Sequence, residues 1–150
     1  MIQRIQSVYL LVVTILIIIC LCSPVGSYIG SDYSVSALTN LCLTMADGTK
    51  DYAPWALFVI LLVVAVLAFG TIFLFKKRML QIRLTIFSTI LLIGYYATLV
   101  TFIFMLKEES MTFSPSCTVC LPLVAIILNW LAIRAIGKDE VLVKAYDRLR

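Results

Sequence analysis

Residues 5–24, 54–75 and 84–106 contain no Asp, Glu, Lys or Arg, and a fourth apolar run, 117–136, contains only Arg134. At about 1.5 Å of rise per residue, each run is long enough to cross a hydrocarbon layer of roughly 30 Å as a helix. Lipid offers no partner to backbone amides, so a crossing segment must satisfy them internally, which a helix does and an open strand does not. The sequence therefore predicts an all-α integral membrane protein, a bundle of four transmembrane helices forming one domain over residues 1–150, with a cytoplasmic tail over 137–150. Composition supports this: 63% of the residues are hydrophobic and 13% charged, and a soluble globule of this length would leave much of that apolar surface in water. The segments between the runs are too short for a soluble catalytic domain.

Charge placement predicts which way the spans face. Arg4, Lys76, Lys77, Arg78, Arg83, Arg134, Lys138, Lys144, Arg148 and Arg150 fall on one side, against only Asp139, Glu140 and Asp147. The other side holds Lys50 and Lys107 against Asp32, Asp47, Asp51, Glu108 and Glu109. Basic residues concentrate in cytoplasmic loops, so both termini and the 76–83 loop are expected inside, with the 25–53 and 107–116 loops outside. The net charge of +4 thus reports topology and gives no reason to expect a nucleic-acid partner. The first run is read as a retained span rather than a cleaved signal peptide, because it is longer than a usual signal core and no small-x-small site follows it.

Few residues within the runs can carry chemistry. Histidine is absent, which removes the usual general base near neutral pH and the commonest metal ligand; no metal is expected. Arg134 reads as an interfacial anchor whose side chain reaches the lipid phosphates, and Asn129 as an interhelical hydrogen-bonding group. Gly94, Thr98 and Thr101 share one helical face that is expected to pack against a neighbour. Tyr95 and Tyr96 read as core. The cysteines supply the one hint of catalysis, since Cys117 and Cys120 form a C-x-x-C at the mouth of the fourth span, where a helix N-terminus favours a thiolate. With Cys42 from the first outer loop they would serve a quinone-linked thiol–disulfide oxidoreductase, although such enzymes use a second cysteine pair that loop one does not provide. Pro122 is expected to bend a helix that starts near Ser116.

The cytoplasmic face is more patterned. Lys76, Lys77, Arg78 and Arg83 carry no intervening anion and suit anionic lipid head groups. Gly137 reads as the end of the fourth span, and a short amphipathic helix follows, capped by Asp139 with Glu140 in its first turn and Arg148 and Arg150 in its last. Leu142, Ala145, Tyr146 and Leu149 share its apolar face, expected to lie at the membrane interface or against a protein. With Arg4, Arg134 and Lys138, these residues form the expected surface for a partner or for lipid head groups.

Three stretches, MIQRIQSVYL at 1–10, KRMLQIRL at 77–84 and LAIRAIGKDEVLVKAYDRLR at 131–150, make the chain resemble a family of small four-span inner-membrane proteins of unknown function from Bacteroidota. The resemblance covers essentially the whole length. It implies a bacterial inner membrane and cytoplasmic termini, and no activity or cofactor. All three stretches fall on the cytoplasmic side and the cysteines lie outside them. The reading that follows is a non-enzymatic accessory or assembly subunit that binds a membrane or cytoplasmic protein through its basic inner face.

Overall fold

The computed structural model describes residues 2–74, 77–106 and 111–148, apart from the side chains of 2–6 and 147. Four helices dominate: α1 (Ile2–Cys22), α2 (Trp55–Phe73), α3 (Arg78–Met105) and α4 (Cys120–Arg148). Each packs on its chain neighbours and α1 packs on α4, so the helices form a ring in chain order. Three helical stretches are long and apolar enough to cross a membrane, namely Trp55–Phe73, Arg78–Met105 and Cys117–Tyr146; the part of α1 with described side chains, Ser7–Cys22, is a shorter apolar helix.

The buried positions repeat in steps of four and three. They are Leu57, Leu61, Val64, Ala68 and Thr71 on α2, and Gln81, Thr85, Ser88, Leu92, Tyr95 and Leu99 on α3. This is the spacing of a seam between nearly parallel helices. α4 contributes Ala125, Asn129, Ala132, Ile136 and Asp139. Small and polar side chains such as Ala68, Thr71, Thr85, Ser88, Ala125 and Ala132 thus face inward among leucines, while Phe87, Ile90, Ile93 and Phe104 of α3 face outward and are exposed. Such a distribution suits an apolar surrounding, where helices associate through small residues and hydrogen bonds instead of by hiding grease from water.

The all-α expectation is corrected by a sheet. Residues expected to be loops form β1 (Pro24–Gly30), β2 (Val35–Thr39), β3 (Leu43–Thr44), β4 (Lys50–Asp51) and β5 (Met111–Pro115), an antiparallel sheet of order β4-β3-β2-β1-β5. The turns between them are local: Thr39 N–H donates to Cys42 O around Asn40 and Leu41, and Met45 N–H to Thr49 O around Gly48. Gly48 has φ +80°, a conformation that only glycine adopts freely. The β1–β5 pairing joins the two expected outer loops, so they share one end of the bundle, as charge placement had grouped them. Gly26 permits that pairing, because a Cβ there would stand 2.8 Å from Ser114 O and closer still to the Phe113 ring.

The helix limits also depart from expectation. Most of the 76–83 loop is the first two turns of α3. α4 runs without a break through Gly137, so there is no separate C-terminal helix; Gly48 is the only described glycine with positive φ, and Gly137 therefore lacks the left-handed conformation of a helix stop. Pro122 stands in the first turn of α4, after a 3-10 turn at Cys117–Val119. Its missing amide would have no helical partner at that position, so the expected bend is not required. The face of Gly94, Thr98 and Thr101 does not pack: a Cβ on Gly94 would meet nothing within 4 Å, and both threonines bond back to carbonyls four residues earlier.

Candidate functional site

Helix ends leave carbonyls without intrahelical partners, and at one end of this bundle side chains answer some of them. At the sheet end, side chains from the sheet, its turn and α3 reach across to backbone carbonyls. Asn40, fully buried in the β2–β3 turn, donates from Nδ2 to Cys20 O in the last turn of α1 at 2.7 Å and accepts from the Tyr95 hydroxyl at 2.8 Å. The Tyr28 hydroxyl donates to Ile103 O in the last turn of α3 at 3.3 Å, and the Tyr96 hydroxyl to Val119 O at 2.6 Å. Burial pushes the Tyr28 phenol above the usual tyrosine range. Tyr95 and Tyr96 are therefore core residues with polar tips used for closure. Asn40 was not legible as a site residue; the signal for it was its position as a turn former after the short alternating run Val35–Thr39.

The three thiols of the redox reading are placed differently from one another. Cys42 is buried, its Sγ 3.6 Å from Thr39 Oγ1 and 4.0 Å from Thr44 Oγ1. Cys117 and Cys120 are exposed, and the Cys120 amide bonds to Cys117 O in the 3-10 turn. No three-cysteine cluster is formed by the described contacts.

A cavity of about 430 Å³ lies between the sheet and the end of α3, lined by residues that include Tyr28, Ser36, Met45, Asp47, Asp51, Met105 and Met111.

The opposite end gathers the cations. Arg78 Nη2 stands 3.3 Å from Asp139 Oδ2, and its Nη1 donates to the Asp139 carbonyl at 3.3 Å. Asp139, expected as a helix cap, is thus a buried clamp between α3 and α4. No donor is aligned on its Oδ2, so the side-chain contact is an ion pair and not a hydrogen bond. Glu140 pairs with Lys144 at 2.9 Å on the surface of α4. Arg134 lies 5.7 Å from the exposed Trp130 ring, in cation–π range. Lys77, Arg83, Lys138 and Arg148 are exposed. The Arg4 side chain, Lys76, Leu149 and Arg150 lie outside the described residues. Beyond the clamp, α4 presents Val141, Leu142, Val143 and Tyr146 with 43% to 76% of their surfaces exposed.

Between the ends, Asn129 Nδ2 reaches Ser88 Oγ at 3.5 Å, the interhelical contact expected of it, while its Oδ1 is buried without a partner.

These features define a mostly helical protein with three helices suited to crossing a membrane, closed at one end by an antiparallel sheet and clamped at the other by an ion pair. The chain belongs to the family described as Domain of unknown function (DUF4293), which it matches over residues 2–149. Comparison with curated proteins returns no match.

Proposed function

We propose that this is a four-span protein of a bacterial inner membrane, with both termini in the cytoplasm, acting as a non-enzymatic accessory or assembly subunit. The four-span reading draws on the ring packing of α1 with α2 and α4, since a helix wedged between two spanning neighbours shares their depth. α1 has 21 residues, about 31 Å of helix. The concentration of Lys and Arg at the end opposite the sheet favours that end as the cytoplasmic one.

The observation that carries the partner reading is the far end of α4. Its 29 residues extend about 43 Å, roughly 13 Å beyond a hydrocarbon layer, and the emerging turns bear exposed Val141, Leu142, Val143 and Tyr146 beside Lys138 and Lys144. An unbroken helix projects instead of turning to lie on the leaflet. Apolar residues on a projecting helix, ringed by cations, fit a groove with an acidic rim on a protein.

The test is a photocrosslinking residue at Val141 or Tyr146 in intact cells. One discrete protein adduct, lost on Leu142→Asp, is expected from both positions. Adducts to lipid alone would refute docking on a protein.

A further inference from the structure

The cavity beside the sheet has the volume of a small-molecule site, and its wall is sorted by chemistry. Met45, Met105 and Met111 line it from the β3–β4 turn, the end of α3 and β5. They are three of the chain's five methionines, brought from three separate elements. Unbranched thioether side chains make an apolar wall that adjusts to an irregular guest. Asp47 and Asp51 supply the charge, and no Lys or Arg is among the described lining residues. Ser36 also lines the cavity and is only 6% exposed, yet its hydroxyl has no hydrogen-bond partner among the described residues. Its oxygen is not sealed in the interior; it lies on the wall of a space that a ligand can enter.

We propose that this cavity binds a monovalent organic cation with an apolar body, an alkyl- or arylalkyl-ammonium, its charge held by Asp47 and Asp51 and its apolar part by Met45, Met105 and Met111. A pair of carboxylates beside an apolar wall, with no Lys or Arg among the described lining residues, disfavours anions and gives neutral molecules nothing to neutralise. Charge and apolar surface are therefore both needed, and the site discriminates by their combination.

The test is calorimetric titration of the full chain in zwitterionic nanodiscs with benzyltriethylammonium, benzyl alcohol, benzenesulfonate and silver(I). The ammonium is expected to bind at one per chain, and at least tenfold more weakly to the Asp47→Asn, Asp51→Asn protein. Asparagine keeps the oxygen that Asp51 uses to accept from Ala53 N–H at 3.0 Å, and an unchanged unfolding temperature will show that the fold is intact. Met45→Leu with Met111→Leu serves the silver(I) arm, because leucine keeps an apolar wall but cannot ligate a soft metal. Equal binding of benzyl alcohol or benzenesulfonate overturns the proposal, as does an ammonium affinity indifferent to both Asp→Asn changes. Binding of silver(I) lost with the methionines, without ammonium binding, would make this a soft-metal site and overturn it too.

Discussion

The sheet end and the opposite end of the bundle are held together with different materials. At the sheet end, three neutral side chains, Asn40, Tyr28 and Tyr96, satisfy backbone carbonyls, and the first two of those carbonyls belong to the last turns of α1 and α3. At the other end one ion pair, Arg78 with Asp139, ties α3 to α4. Neutral hydrogen bonds buried in an apolar core are costly to break and insensitive to salt. An ion pair with one partner a quarter exposed is weaker and screened. The closed end is therefore the rigid scaffold, and the clamped end, from which α4 projects, can move first.

The largest expected effect follows from Asn40→Leu. It leaves the Tyr95 hydroxyl and the Cys20 carbonyl unsatisfied where no water reaches, at about 1–3 kcal/mol each. Thermal unfolding in mild detergent should show a loss of about 3 kcal/mol, with little salt dependence. A loss below about 1 kcal/mol would mean that the turn does not plug the bundle. Gly26→Ala comes next, at about 2 kcal/mol, because its Cβ would run into Ser114 O and the Phe113 ring. Phe113→Ala removes the ring but not the backbone oxygen, so it should rescue Gly26→Ala only in part.

The helices were legible because four long apolar runs with a single charge among them, Arg134, admit few alternatives in an apolar medium, and the end at which each loop lies was legible from Lys and Arg. The sheet was not. β3 and β4 are two residues each, too short for alternation to register, and β1 pairs with β5 across more than eighty residues of sequence. Gly48 after Asp47 was a readable turn signal that the hydropathy of the flanking spans overshadowed. At the other end, Asp139 just after Gly137 fits a helix start as well as a clamp, and only the approach of Arg78 from α3 distinguishes the two. The Gly94 face shows the same limit: spacing defines a stripe on a helix, and the neighbour's position decides whether it packs.

Arg78→Ala should cost less than either change at the sheet end, about 1.5 kcal/mol, between the values for surface and buried pairs. Deuterium uptake should rise in the first turns of α3 and around Asp139 while Asn40 and its neighbours stay protected. Raised uptake at both ends would erase the contrast between them. Alkali gives a smaller effect on the closed end. The folded state holds the Tyr28 proton more tightly than the unfolded chain does, so stability is fully retained below the ordinary tyrosine range near pH 10 and falls as pH rises through it and beyond. Tyr28→Phe should flatten that part of the fall, at the cost of the bond to Ile103 O.

The smallest effect is expected at Asn129, although it is as buried as Asn40. Asn40 uses both ends of its amide; Asn129 offers Nδ2 to Ser88 at a long 3.5 Å and leaves Oδ1 without a partner. Asn129→Leu removes one weak interhelical bond, of the order of 0.6 kcal/mol in an apolar surround, together with an acceptor already desolvated to no gain. Ser88 is not stranded, because its hydroxyl can turn back to the carbonyl of Leu84, as Thr85 and Thr89 do to theirs at 2.8 and 2.9 Å. Leucine shares the branched four-atom outline of asparagine, although its two methyl groups are bulkier than the amide. Unfolding stability should stay within about 0.5 kcal/mol of the parent, less than the wild-type bond alone would suggest, because loss and relief oppose each other. A drop of about 2 kcal/mol would show instead that Oδ1 holds a partner, a bound water or ligand, and that a polar site lies midway between the two ends.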